Sequence, residues 1–286
     1  MKNFDCINVP LDEELVKEKP DYVSSHLDEE SIKSELNTSV VGKSLVLLET
    51  VTSTNDFLKA LAKENCKNGT VVATREQTKG KGRLGRKWLS KKDDSIIFSV
   101  ILFPDIQPEE CLNITLLSGL AVCKAIREEL NIDCKIKWPN DIIVNNKKLG
   151  GILSEMSVSG GKIEYIIVGI GINAEQREFP KEISHKATSL FCQTEKAIDK
   201  NRLFAKILKS LEDEFMKNNL ELTGKALEEY TSFCATIGRE ISFFRGEKKL
   251  CGKAVGIEPN GELAVKLKDE TVCSLGFGEV TVQGIY

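Results

Sequence analysis

Apolar positions along this chain change period several times, and each change marks an element. Residues 45–48 form a short apolar run that predicts a strand, after which Ser53 or Thr54 caps a helix with the stripe Phe57, Leu58, Leu61 and Ala62. Residues 71–74 and 96–103 return to strand, and the second run is apolar on both faces, so it belongs inside a sheet. Pro108, with Glu109 and Glu110 behind it, opens a long helix whose stripe is Leu112, Leu116, Leu120, Cys123, Ile126 and Leu130. Residues 135–138, 142–144, 151–156 and 163–172 predict a meander of strands with turns at Asn145-Asn146 and Gly160-Gly161. Helices over 202–215 and 222–233 complete an α/β pattern.

After Ile237 the texture becomes short strands, 241–244, 250–257, 263–267, 272–275 and 280–283, with turns at Gly246 and Asn260-Gly261. That spacing predicts a small barrel and a domain boundary near residue 235. Residues 1–40 are acidic, weakly periodic and broken by Pro10 and Pro20. A winged helix needs three helices of about 11–12 residues each, which nearly exhausts that segment before any hairpin. No sequence-specific DNA binding is expected. The predicted organisation is an acidic extension over 1–40, a main domain over 41–235 and a small domain over 236–286.

One segment resists assignment to any regular element. QTKGKGRLGRKW, beginning at Gln77, concentrates Lys79, Lys81, Arg83, Arg86 and Lys87 around three glycines, and those cations repel one another unless an anion arrives. Gly80, Gly82 and Gly85 spell GxGxxG, but the dinucleotide fingerprint requires a helix opening on its last glycine. Here Trp88, Ser90 and a buried strand follow, so that reading fails on context. The segment reads as a phosphate loop that is mobile when empty and ordered by its ligand.

Net charge of −3 gives no global attraction to nucleic acid or membrane, so any anion site must be local. Nine cysteines are an odd number without a CxxC pair, and only His26 and His185 could join them, which supports neither a zinc site nor a disulfide framework. A reducing cytosol fits best. Residues 1–10 lack the apolar region of a signal peptide, and no run is long enough to span a membrane. The sequons at Asn37, Asn68 and Asn113 then carry no meaning.

Four polar, glycine-containing clusters fall at strand ends: Ser53-Thr54-Asn55, the 77–90 loop, residues 137–141 with 147–151, and residues 169–173. Together they offer hydroxyls and amides for a neutral polar ligand, cations for phosphate, and a carboxylate for a metal or a ribose. TVTSTN, QTKGKGRLGRKW, KWPNDIIVNNKKLGGIL and VGIGIN, in this order and spacing, resemble the biotin protein ligases, which activate biotin with ATP and attach it to a carrier-protein lysine. ATSL at 187–190 and the stretch from GREISF to GEVTV extend the likeness. The resemblance implies an α+β catalytic domain, with a mixed sheet flanked by helices as in class II synthetase-like ligases, followed by an SH3-like β-barrel.

By position, the resemblance assigns Ser53, Thr54, Asn55 and Gln77 to the ureido ring, whose two N–H donors and one carbonyl such groups suit. Helix capping is the plainer use of Ser53 and Thr54. Gly80, Lys81, Gly82 and Arg83 match a loop over biotin and the adenylate phosphate, with Gly151 beside them. The family pattern there is usually GRGRxGR, so Lys81 departs from it, which matters only if a guanidinium is needed. Lys148 matches a lysine bridging the biotin carboxylate and the α-phosphate, against the plainer reading of an exposed turn lysine. Arg86, Trp88, Asn140, Asp141 and Asn173 match the nucleotide side, where turn chemistry is the alternative for the Asn and Asp residues. Arg83, Arg86, Lys148 and Asp141 carry the expected catalysis, with Mg²⁺ on the phosphates and ligands the sequence does not name. Trp138 reads as core.

The implied partners are biotin, ATP and a biotin carboxyl carrier domain of a carboxylase. The oligomeric state, a homodimer included, stays open. Three competing readings remain: a lipoate or octanoate transferase on the same fold, a biotin-responsive repressor, and a non-catalytic biotin-binding module.

Overall fold

The computed structural model describes residues 26–276, 278 and 280–286, so most of the acidic extension, Pro10 and Pro20 included, lies outside the described residues. In chain order the main unit contains α1 (Glu29–Glu35), β1 (Leu45–Val51), α2 (Thr54–Lys63), β2 (Val71–Gln77), β3 (Ser95–Leu102), α3 (Cys111–Leu130), β4 (Lys135–Lys137), β5 (Asp141–Val144), β6 (Lys147–Ser159), β7 (Lys162–Asn173), α4 (Leu190–Thr194), α5 (Lys200–Lys217) and α6 (Gly224–Phe233). Its seven strands form one mixed sheet in the order β1-β2-β3-β7-β6-β5-β4, parallel only between β1 and β2.

The apolar run expected to lie inside a sheet is β3, and all of its residues are buried. Strand alternation sends Ile96, Phe98, Val100 and Leu102 into the core built with α3 and α5, where the Phe98 and Phe204 rings lie 4.8 Å apart. On the other face Ile101 packs with Leu58 of α2, Val72 and Ile167. Ser99 shares that second face by the period of two, which aims its hydroxyl toward the start of α2.

Residues 28–41, the described end of the acidic extension and the start of the main unit, pack onto the folded unit. Asp28 caps α1 by accepting from the Ser31 amide at 2.8 Å, Ile32 is buried, and α1 packs along α5. The buried Glu212 carboxylate of α5 then accepts the backbone amides of Ser39, Val40 and Val41 at 2.7, 2.6 and 2.8 Å. A single carboxylate thus ties the entry to β1 onto a helix more than 170 positions later in the chain. Weak periodicity concealed this helix, since at seven residues it presents only one buried apolar side chain.

Smaller differences concern element ends. A 3-10 turn over Pro108–Glu110 precedes α3, so the helix starts later than Pro108 suggests. Strand β6 begins at Lys147, four residues before the expected start at 151, and takes in the KKLGG stretch. The short α4, capped where the Ser189 hydroxyl accepts from the Cys192 amide at 3.0 Å, had no apolar stripe long enough to predict it.

Following α6, β8 (Glu240–Arg245), β9 (Lys248–Ile257), β10 (Leu263–Leu267), β11 (Val272–Leu275) and β12 (Val280–Val282) form a five-stranded antiparallel sheet ordered β11-β10-β9-β8-β12. It docks through the turn between β9 and β10. A Cβ on Gly261 would come within 2.9 Å of Asn113 Oδ1 and 3.0 Å of Leu112 and Leu116 on α3, and its φ of +84° also favours glycine. The Gly261 carbonyl accepts from the Trp138 indole at 3.0 Å, and Trp138 is buried as expected of a core residue.

Candidate active site

At the start of α2 the chain gathers a set of buried polar groups. Ser53 is the N-cap residue but makes no side-chain cap bond, so the capping role open to it is not taken up. The Thr54 amide donates to Gln77 Oε1 at 2.8 Å, which orients the end of β2 against the helix. Ser99 Oγ lies 2.5 Å from Asn55 Oδ1 and 2.6 Å from Thr54 Oγ1. A hydroxyl has one proton and Asn55 Oδ1 only accepts, so with Ser99 donating there the second contact uses the Thr54 proton. The Asn55 amide nitrogen donates to Glu155 Oε2 at 2.7 Å, and Glu155 in turn holds Lys59 at 2.6 Å. Close approach requires glycine on β7, since a Cβ on Gly169 would sit 2.3 Å from Asn55 Oδ1.

The cationic loop is a small hairpin closed by its own backbone. Gly82 and Trp88 amides donate to the Arg86 and Gly80 carbonyls at 2.7 and 3.0 Å, around a 3-10 turn over Arg83–Gly85 in which Leu84 and Gly85 have φ of +54° and +73°. Gly80 has no room for a side chain, because a Cβ would meet the Trp88 carbonyl oxygen at 2.6 Å. The loop is thus closed by bonds of its own backbone. Its charge is partly offset by protein groups: Lys81 pairs with Asp56 of α2 at 2.6 Å, and Arg83 donates to Asn140 Oδ1 at 2.7 Å and to the Gly278 carbonyl of the C-terminal unit at 2.9 Å. Trp88 packs its ring over Gly171, where an added Cβ would approach the indole to 2.7 Å, and its Nε1 is buried with no partner among the described residues.

Opposite the loop stands the β5–β6 hairpin. Asp141 pairs in register with Gly151, and Lys148 Nζ reaches Asp141 Oδ1 at 2.5 Å. The contact is an ion pair lacking hydrogen-bond geometry, and Oδ1 is otherwise buried without a donor. Lys148 is no exposed turn lysine: its backbone pairs with the segment of ATSL, donating to the Lys186 carbonyl and accepting from the Thr188 amide, both at 2.8 Å.

Ser53, Thr54, Asn55, Gln77, Lys81, Gly82, Arg83, Arg86, Trp88, Asn140, Asp141, Lys148 and Gly151 all line one cavity. Gly80 stands behind it, in the loop's hairpin contact. Asn173 is not brought in. It is buried, donates to the Thr188 carbonyl at 2.9 Å and accepts from Gln176 at 3.3 Å, so its amide fixes the backbone behind the pocket. Ser99, Glu155 and the close-packed Gly169 and Gly171 had no role assigned from the sequence. A hydroxyl inside the apolar run 96–103 was the available signal, since a buried polar group needs a partner.

A cavity with amide and hydroxyl groups at one end and two arginines with a lysine–aspartate pair at the other narrows the families this chain can join. The profile of the Biotin/lipoate A/B protein ligase family matches residues 47–173, from β1 to the end of β7. Bifunctional ligase/repressor BirA of Bacillus subtilis is 34% identical over 245 residues, covering 85% of this chain and 75% of that protein. The chain belongs to the biotin/lipoate protein ligase family. Among other members, the biotin–[acetyl-CoA-carboxylase] ligase of Mycobacterium tuberculosis is 29% identical over 86% of this chain and 92% of its own length. The solved biotin protein ligase from Aquifex aeolicus in complex with biotin and ATP superposes with a TM-score of 0.70 at 34% identity, covering 84% of this chain and 99% of that one. In this ligase-family chain residues of the four motif clusters are neighbours in space, although they are spread from Ser53 to Gly171 along the sequence.

Proposed function

We infer that this ligase joins biotin to AMP and then passes the biotinyl group to a lysine of a biotin carboxyl carrier domain. The observation that carries the reading is one cavity with two chemistries. Thr54, Asn55 and Gln77, with Ser99 behind them, suit a urea, and Arg83, Arg86 and Lys148 suit a carboxylate meeting a phosphate. Lipoate and octanoate offer no urea for this first set to hydrogen-bond, which favours biotin over them.

The biotin carboxyl, with a reference pKa of about 4.3, is ionised at neutral pH and needs no general base. Its oxygen attacks the α-phosphorus, the new O–P bond forms, and pyrophosphate leaves. Two anions must meet, so the cations that hold both partners and the spreading charge supply most of the rate. Lys148 has its ammonium at the hairpin where carboxylate and α-phosphate would converge, while Arg83 and Arg86 cover them from the loop. An uncharged carrier lysine then attacks the acyl carbon of the mixed anhydride, an amide forms, AMP departs and the nitrogen loses its proton. The loop excludes water from the anhydride in the interval.

Among the described residues no three His, Cys, Asp or Glu side chains form a metal cage. Mg²⁺ that rides on substrate phosphates needs only one or two protein carboxylates, and Asp141, a carboxylate that lines the cavity beside Lys148, fits that requirement. When bound, the ion would neutralise phosphate charge. No helix among the described residues is long and apolar enough to cross a membrane, and the eight described cysteines are unpaired, which supports placement in a reducing cytosol.

Incubation with ATP, Mg²⁺, biotin and a carrier domain, followed by mass measurement, tests the reading. A carrier heavier by one biotinyl group is the expected product. No mass change, or equal transfer of lipoate, would sink it.

A further inference from the structure

We propose that Tyr286 is a positioning residue for adenylation, holding the Asp141 carboxylate so that Lys148 stays available to the substrates. This rests on the roles proposed above for Asp141 and Lys148. The Tyr286 hydroxyl donates to Asp141 Oδ2, while the other oxygen of that carboxylate faces the Lys148 ammonium at 2.5 Å. Three side chains on three elements are thus joined through one carboxylate at the edge of the cavity.

The tyrosine is seated firmly enough to act this way. Its amide donates to the Asn146 carbonyl in the β5–β6 turn at 3.2 Å, and the Lys137 ammonium stands 3.8 Å from the centre of its ring. Arg239 fastens the same segment from the other side, donating to the Gln283 carbonyl at 3.1 Å and to Asn146 Oδ1 at 3.3 Å. The chain after β12 is therefore folded onto the hairpin that carries both Asp141 and Lys148. Its phenol is partly exposed, yet it meets a carboxylate that is mostly buried.

The consequence is electrostatic. Lys148 cannot bridge a carboxylate and a phosphate while Asp141 holds its full attention. A phenol on Oδ2 draws charge away from the carboxylate and blocks its rotation, so that only Oδ1 meets the ammonium. Without the hydroxyl, both oxygens of Asp141 are free to engage Lys148, and the lysine is bound more tightly in the empty site than in the substrate complex. Binding energy is then lost at the phosphate and little at the ureido end, which lies on other elements.

The test is a double-mutant cycle on the full chain with Tyr286→Phe, Asp141→Asn and both together. The probe is the α,β-methylene analogue of ATP, whose affinity is measured by titration calorimetry and does not require turnover. Phenylalanine keeps the ring over Lys137 and removes only the hydroxyl. Tyr286→Phe is expected to weaken the analogue about tenfold, the size of one hydrogen bond to a charged group, with biotin affinity and melting temperature unchanged. In the Asp141→Asn background the same substitution should add nothing. Unchanged affinity in Tyr286→Phe overturns the proposal, as does a loss that is additive with Asp141→Asn. Should Asp141→Asn leave both affinity and pyrophosphate release intact, the site reading itself fails. An impaired Asp141→Asn beside a silent Tyr286→Phe overturns this inference alone.

Discussion

Ser99 Oγ lies 2.5 Å from Asn55 Oδ1, on the face of β3 that looks toward the start of α2. This contact fixes the amide of Asn55 with its nitrogen on Glu155 and its oxygen on Ser99. Removing the hydroxyl in Ser99→Ala leaves a buried acceptor unpaired, at a cost of about 1–3 kcal/mol. Biotin affinity measured by calorimetry should fall about tenfold, since about 1.4 kcal/mol is one decade. Wild-type affinity would show that the network does not serve the ligand.

Lys148→Ala removes the cation proposed to meet both carboxylate and α-phosphate. Biotin-dependent pyrophosphate release should slow by roughly 10²-fold or more, as for loss of one preorganised electrostatic contact. An unchanged rate would take Lys148 out of the mechanism.

Arg83→Gly removes the guanidinium that clasps Asn140 and Gly278 and adds a flexible glycine to the loop. Adenylate should still form but escape, labelling lysines of a bystander protein such as albumin, detectable on an avidin blot. If biotin appears on the carrier alone, the loop does not shield the anhydride.

Gly171→Ala places a methyl group 2.7–3.0 Å from ring atoms of Trp88, so the indole must move. Overpacking of this kind costs about 1–3 kcal/mol. The chain has two tryptophans and Trp138 is buried in the core, so a changed emission spectrum reports Trp88. Nucleotide affinity should drop about tenfold, with biotin affinity nearly constant. An unshifted spectrum would mean the ring is not held against this strand.

Glu212→Ala strips the acceptor from three backbone amides between Ser39 and Val41. Stability in urea should fall by at least about 3 kcal/mol, the upper value for a single bond to a charged group, while adenylation under native conditions persists. A change below about 0.5 kcal/mol, ordinary for a surface substitution, would contradict the structural role given to this carboxylate.

Local pattern was enough for the strands and long helices, because their signals lie within a few residues: the apolar run of β3, the stripe from Leu112 to Leu130, and the short strands after Ile237. The motifs carried most of the site for the same reason, since a glycine-rich cationic loop and a KWPND–KKLGG hairpin need no partner to be recognised. What the sequence could not decide was who meets whom. Asn140 and Asn173 look alike along the chain, yet one lines the cavity and receives Arg83 while the other is spent on Thr188. Ser99 reads as an interruption in a strand until α2 is laid across it, and the end of the 1–40 extension reads as tail until Glu212 supplies an acceptor to the Ser39 and Val40 amides. Tyr286 and Asp141 are 145 positions apart. Contacts of that kind depend on how elements pack, and a buried polar atom takes whichever partner the packing leaves within reach.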